Sequence, residues 1–162
     1  LSLIHISEPT RRSWISYAVF CFKKPEVHPQ AKSADDDFIH FSNKVKAGAD
    51  GAITQFFFSP QAYYEFMDRS EKANLGIPIT PGLITITNKE SLLRMAISCG
   101  AKIPKKIIKD LDKLNEEDVT KYGIDVLTKL AEDLLSFGAP GIHFYTINKL
   151  EPTKAIVESL KL

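Results

Sequence analysis

Six side chains in this sequence have the type and the setting to act on a ligand. His28 stands between Pro25 and Pro29, in a stiff loop just ahead of a helix start. Its ring can be offered to a ligand, and a loop histidine in water fits the same pattern. Asp37 and Lys44 lie seven residues apart on one helical stretch, so they project from the same side two turns apart. The ammonium suits a phosphate and the carboxylate a ribose hydroxyl; a solvated helix face is the plain alternative. Gln55 carries an amide that both donates and accepts, inside an apolar strand-like run, and needs a partner from protein or ligand. Tyr145 ends another apolar run, where a core tyrosine with its hydroxyl at the rim is expected, and Lys149 follows in the loop as an anion contact.

The elements that hold these groups follow from periodicity and caps. Ser33 can cap a helix whose first turn holds Asp35, Asp36 and Asp37, with Phe38, Phe41 and Val45 at helical spacing and Gly48 beyond its end. Residues 52–58 read as a buried strand, AITQFFF. Ser59-Pro60 opens the next helix, stopped near Asn74-Leu75-Gly76. Residues 77–84 read as a second strand, shortened by Pro78 and Pro81, because proline donates nothing to a ladder. Asn88 caps a helix to about Cys99, Pro104 starts a short one, and Asn115 starts a long one with Val126, Leu127, Leu130, Leu134 and Leu135 on its apolar stripe. Residues 142–147 read as a third strand, and Pro152 opens a last helix.

Strands that alternate with helices predict parallel βαβ units, and so an α/β fold. Neither the G-x-G-x-x-G nor the G-x-x-x-x-G-K-[ST] phosphate loop occurs, which disfavours a nucleotide-binding doubly wound sheet. Polar groups instead fall at successive strand exits: Gln55, then Thr85 and Thr87, then Tyr145 and Asn148. That is the habit of the (βα)8 TIM barrel. Three to four βα units are present, so the expectation is an incomplete barrel, about half a domain.

The chain is 44% hydrophobic, enough for one core, and its net charge of +1 gives no reason to expect nucleic acid or a membrane surface as partner. No apolar run approaches the roughly 20 residues that span a bilayer. Cys21 and Cys99 are far apart and form no metal-ligand spacing, so a reduced, cytoplasmic setting is expected.

Residues 1–24 stand apart. LSLIHISEPTR resembles one end of a translated sequencing adapter, and ISYAVFC, residues 15–21, resembles the other, across an index-length gap of Arg12, Ser13 and Trp14. These residues are expected to be an adapter-derived artefact, with the functional domain over 25–162. They hold four basic residues against one acid, so the remainder turns slightly acidic. Residues 15–22 are nevertheless β-prone and can pair in parallel beside residues 52–58. Their side chains are expected to pack worse than those of the strand they join, and Ile53 and Phe57 to lack a facing layer.

The strings PEVHPQAKSADDD, KVKAGADGAITQFFF, PITPGLITITN and HFYTINK, in that order across residues 25–162, resemble the flavin-dependent methylenetetrahydrofolate reductases. The resemblance implies the C-terminal half of a TIM barrel that carries FAD at the strand exits. NAD(P)H would reduce the flavin as co-substrate, and 5,10-methylenetetrahydrofolate would then be reduced to 5-methyltetrahydrofolate, a step of one-carbon and methionine metabolism. By position, His28, Ala31, Asp37 and Lys44 fall on FAD-contacting positions, and Gln55, Tyr145 and Lys149 on substrate-binding ones. Ser91 and Lys149 stand where the family has a folate-contacting glutamine and arginine, and Lys24 where it usually has an aromatic residue. The family's general acid, a glutamate on the first strand, lies in the N-terminal half, so no catalytic residue is assigned here. A homo-oligomer is expected for the full-length parent. The competing expectations are a non-catalytic half-barrel binding or regulatory module and a phosphate-binding barrel lyase. The latter would want a Gly-rich anion site that Pro81-Gly82 alone does not make.

Overall fold

The structure, a computed structural model, describes residues 17–20 and 34–160, and of residues 17–20 and 34–36 the backbone alone. Ten elements follow in chain order: β1 (Tyr17–Phe20), α1 (Ala34–Lys46), β2 (Gly51–Phe56), α2 (Pro60–Lys72), β3 (Ile79–Ile84), α3 (Lys89–Cys99), α4 (Lys105–Leu111), α5 (Glu116–Phe137), β4 (His143–Tyr145) and α6 (Leu150–Ser159). The four strands form one sheet in the order β1-β2-β3-β4, every pair parallel. Among the described residues the order nowhere reverses, so these four strands show no switch point of the doubly wound kind.

β2 and β3 pair regularly at Ala52↔Ile79 and Ile53↔Thr80, but the next pair is Phe56↔Gly82. Thr54 and Gln55 together therefore stand opposite Pro81. Backbone direction alternates along β3: the Pro78 carbonyl accepts from Ala52 on the β2 side, and the Ile79 carbonyl faces away to the Tyr63 hydroxyl. The absent Pro81 N–H therefore falls on the β4 side, and the bulge lies within β2 at Thr54-Gln55. The Gly82 N–H goes to the Thr54 hydroxyl at 2.8 Å. β1 joins the other edge of β2 from Tyr17↔Gly51 to Phe20↔Thr54, in the place expected for residues 15–22. How its side chains pack lies outside the described residues.

The helices start where short polar side chains can take orphan amides. Asn88 Oδ1 accepts the Ser91 N–H at the start of α3, and Asn115 Oδ1 accepts the Asp118 N–H at the start of α5, both at 2.9 Å. Pro60 sits at the start of α2 after an extended Ser59. α6 begins two residues before Pro152, which occupies the first turn, where its missing N–H has no intrahelical partner to lose.

The core lies between the sheet and the helices. Tyr63, Ile79, Leu83, Leu127, Leu134 and Ile156 are fully buried. Tyr63 donates to the Ile79 carbonyl at 2.7 Å, and its ring stacks on Phe57. Phe57 therefore does have a facing layer, against the sequence expectation: β2 ends at Phe56, and the chain then turns Phe57 toward α2. Ile53 is half-buried. Gly123 on α5 packs directly on Ile86, where a Cβ would stand 2.4 Å from the Ile86 carbonyl oxygen. That contact fixes α5 against the segment leaving β3.

Candidate functional site

A parallel sheet brings its strand exits to one edge. Here that edge gathers Gln55 from β2, Thr85–Asn88 after β3, and Tyr145–Lys149 at and beyond β4. Gln55 is half-buried in the bulge, and its Oε1 accepts the Phe56 N–H at 3.2 Å. Its Nε2 donates to nothing among the described residues. With its oxygen on a backbone N–H, the Gln55 amide keeps its two N–H donors unengaged by the described residues.

Thr54 supports that arrangement and was not foreseen from sequence. Its hydroxyl accepts the Gly82 N–H and donates to the Gln55 carbonyl at 2.9 Å, while its own carbonyl accepts the Tyr145 hydroxyl at 3.0 Å. No local signal marks Thr54 in the sequence, because its partners Gly82 and Tyr145 lie on two other strands.

Tyr145 reaches Thr54 by crossing β3 at Gly82. A Cβ there would stand 2.3 Å from the Thr54 oxygen and 2.7 Å from Tyr145 Cε2. The tyrosine ring meets Phe56 and His143 edge-on, with centroids 6.3 and 4.7 Å away. His143 also escaped the sequence reading. Burial lowers its pKa below the usual histidine range, which favours a neutral imidazole.

Lys149 is presented by an unusual turn. Its N–H bonds the Thr146 carbonyl at 2.9 Å, and the two residues between, Ile147 and Asn148, have φ of 49° and 60°. Positive φ at both central positions is the pattern of a type I′ turn, and a β-branched residue there is strained. The Lys149 ammonium donates to Thr87 Oγ1 at 3.1 Å, which ties the exits of β3 and β4 together. Ser91, one turn into α3, accepts from Arg94 through its hydroxyl at 3.1 Å.

The positions read as cofactor contacts divide differently. Asp37 is in the first turn of α1 and half-buried; Lys44 is in the last turn and exposed. A helix that returns between parallel strands runs against them. Asp37 therefore lies toward the strand exits and Lys44 about 10 Å further along the axis, toward the entrances. In the last turn Lys44 also complements the helix dipole. His28, Ala31 and Lys24 lie outside the described residues. Among the described residues no group of His, Cys, Asp and Glu is arranged to hold a metal ion, and no helix is long and apolar enough to cross a membrane.

An unreversed parallel sheet, with amide, hydroxyl and ammonium groups along its C-terminal edge, defines an α/β protein whose polar groups gather at its strand exits. The family described as methylenetetrahydrofolate reductase matches residues 11–161. That span includes residues 11–24. The chain belongs to this family. It is 36% identical over 138 residues to the 5,10-methylenetetrahydrofolate reductase of Escherichia coli, covering 84% of this chain and 47% of that protein. It is 32% identical over 149 residues to methylenetetrahydrofolate reductase (NADH) 1 of Arabidopsis thaliana, covering 85% and 25%. The chain thus spans about half the length of the bacterial relative. Among solved structures, it resembles an uncharacterized Clostridium thermocellum protein that binds two copies of 5-methyl-5,6,7,8-tetrahydrofolic acid. The TM-score is 0.60 at 21% identity, over 90% of this chain and 52% of that one, and the likeness is one of fold.

Proposed function

We propose that residues 25–162 are the C-terminal half of a (βα)8 barrel that reduces 5,10-methylenetetrahydrofolate to 5-methyltetrahydrofolate with FAD and NAD(P)H. The observation that carries this reading is the convergence of the Gln55 amide and the Lys149 ammonium on one edge of a sheet whose strand order never reverses. The folate named for the Clostridium protein and the reductase names of the relatives support the same substrate class.

In donor chemistry Asp37, at the strand-exit end of α1, would offer a carboxylate to a ribose hydroxyl of the flavin dinucleotide. Lys44, about 10 Å further along the same helix, would meet the diphosphate only with the cofactor's tail laid down that helix; His28 and Ala31 would complete the set. FAD, when bound, supplies hydride transfer between the nicotinamide and the folate. The rest is the work of this chain: Gln55 donates to an acceptor on the folate ring system, Tyr145 walls the same edge, and Lys149 meets the substrate's carboxylate tail. Lys149 in place of arginine keeps the charge and gives up the bidentate fork.

The family's proton donor is not among these residues, so this half by itself is inactive. A positioned general acid contributes about 10²–10⁴-fold. Residues 1–24 we read as translated adapter. The family match reaches back to residue 11, and a β-prone stretch can align with a barrel strand whatever its origin. The parent is cytoplasmic and homo-oligomeric on this reading. Resequencing the source DNA with the adapter removed tests the origin of residues 1–24: an uninterrupted reading frame through them in the natural gene would refute it.

The functional test joins residues 25–162 to the first half of the Escherichia coli relative. The product should purify yellow and oxidise NAD(P)H with a folate acceptor. Gln55→Ala should weaken folate turnover more than flavin retention. A folded but colourless product would overturn the proposal, and equal loss of both properties would make Gln55 structural.

A further inference from the structure

We infer that Thr54 is a positioning residue that fixes Gln55 as a hydrogen-bond donor to the substrate; this rests on the folate-binding reading of Gln55. Thr54 is fully buried, so water cannot stand in for its contacts. Its hydroxyl is used in both senses. It accepts the Gly82 N–H across the bulge from β3, and it donates to the Gln55 carbonyl. The Thr54 carbonyl is held from two strands away by Tyr145. The peptide that joins Thr54 to Gln55 is therefore tied to both β3 and β4. Gln55 Oε1 already accepts the Phe56 N–H, which leaves both Nε2–H donors and a single lone pair to be read. The group the donors recognise is a hydrogen-bond acceptor, such as a ring nitrogen or carbonyl oxygen of a heterocycle.

Isoleucine and valine fill a strand as well as threonine does, but neither supplies this hydroxyl. A bulge without it leaves the Gly82 N–H buried and unpaired, and the Gln55 carbonyl free to rotate the peptide. The loss would be felt in substrate binding, through Gln55, before it was felt at the flavin.

A mutant cycle in the joined full-length enzyme tests this. Thr54→Val should raise the folate KM about tenfold with flavin content unchanged, while Thr54→Ser should stay within about twofold of the parent. In the Gln55→Ala background, Thr54→Val should add nothing to KM, because its effect passes through that side chain. Gln55→Glu, which keeps the acceptor and loses the donors, should raise KM as far as Gln55→Ala does. If Thr54→Val does not fold, Tyr145→Phe takes its place in the same cycle. A KM effect that persists undiminished without the Gln55 side chain, or a Thr54→Ser variant no better than Thr54→Val, would overturn the inference alone. A Gln55→Ala variant with an unchanged folate KM would overturn the substrate reading beneath it.

Discussion

The Tyr145 hydroxyl donates to the Thr54 carbonyl at 3.0 Å, from β4 to β2, directly over Gly82 on the strand between. Only a residue without a Cβ leaves room for that crossing. Gly82→Ala should therefore displace the tyrosine or the bulge. The cost should be about 3 kcal/mol, near the upper end for overpacking, because a backbone atom stands in the way. Thermal melting of the joined full-length enzyme reads this directly, and a melting temperature within a degree of the parent would contradict it.

Lys149 and Thr87 hold two strand exits together, and the ammonium keeps further protons for a ligand. Lys149→Ala should raise the folate KM roughly ten- to hundredfold, as for loss of a charge-assisted contact of about 1.5–3 kcal/mol. Lys149→Arg should not raise it. Steady-state kinetics on both variants decides the point; an alanine variant with normal KM would remove Lys149 from the site.

Lys44→Ala should loosen FAD by a similar factor if the lysine meets the diphosphate, with Asp37→Ala weaker in effect. Flavin fluorescence released on dilution measures it. Flavin retention equal to the parent would leave Lys44 with its dipole role alone.

Burial pushes the Tyr63 hydroxyl up to about 12 from its usual 10. The unfolded chain then loses that proton at a lower pH than the folded one. The stabilisation from a protonated Tyr63 is thus complete below pH 10 and declines as pH climbs toward 12. Tyr63→Phe should be less stable near neutrality, since it leaves the Ile79 carbonyl without its partner, yet lose less on going from pH 9 to 11. Chemical denaturation across that range checks the slope; parallel curves for the two proteins would refute it.

The 162-residue chain expressed by itself should be aggregated or dimeric and should not hold FAD. β4 and β1 are the sheet's outer strands, and unpaired edges template association. Light scattering and absorbance near 450 nm suffice. A monodisperse, flavin-bound monomer would overturn both the half-barrel and the adapter readings.

Much of the frame was legible in sequence because it is written locally. Asn88 and Asn115 announce their helices as caps, and the apolar run around residues 52–58 announces its strand, because each signal lies within a few residues of its effect. Gln55 was legible as a polar group needing a partner. The partner of its neighbour was not. The role of Thr54 depends on a glycine amide in the next strand and a tyrosine two strands on, and register across strands cannot be read from either segment alone. The third strand was expected through Ile147 but ends at Tyr145. A β-branched residue in a left-handed turn runs against local preference, so periodicity carried the strand too far. Phe57 was expected uncovered because a half barrel leaves one side of its interior open; β2 ends one residue earlier, and the ring turns to Tyr63 on α2.

Thr54, Gly82 and Tyr145 form a small inheritance group scattered over 92 positions of chain. The hydroxyl at 54, the bare backbone at 82 and the phenol at 145 constrain one another, so single changes at any of them meet resistance that joint changes would not. Among relatives of this chain, those three columns should therefore change together or not at all, and a family tree would show them switching on the same branches.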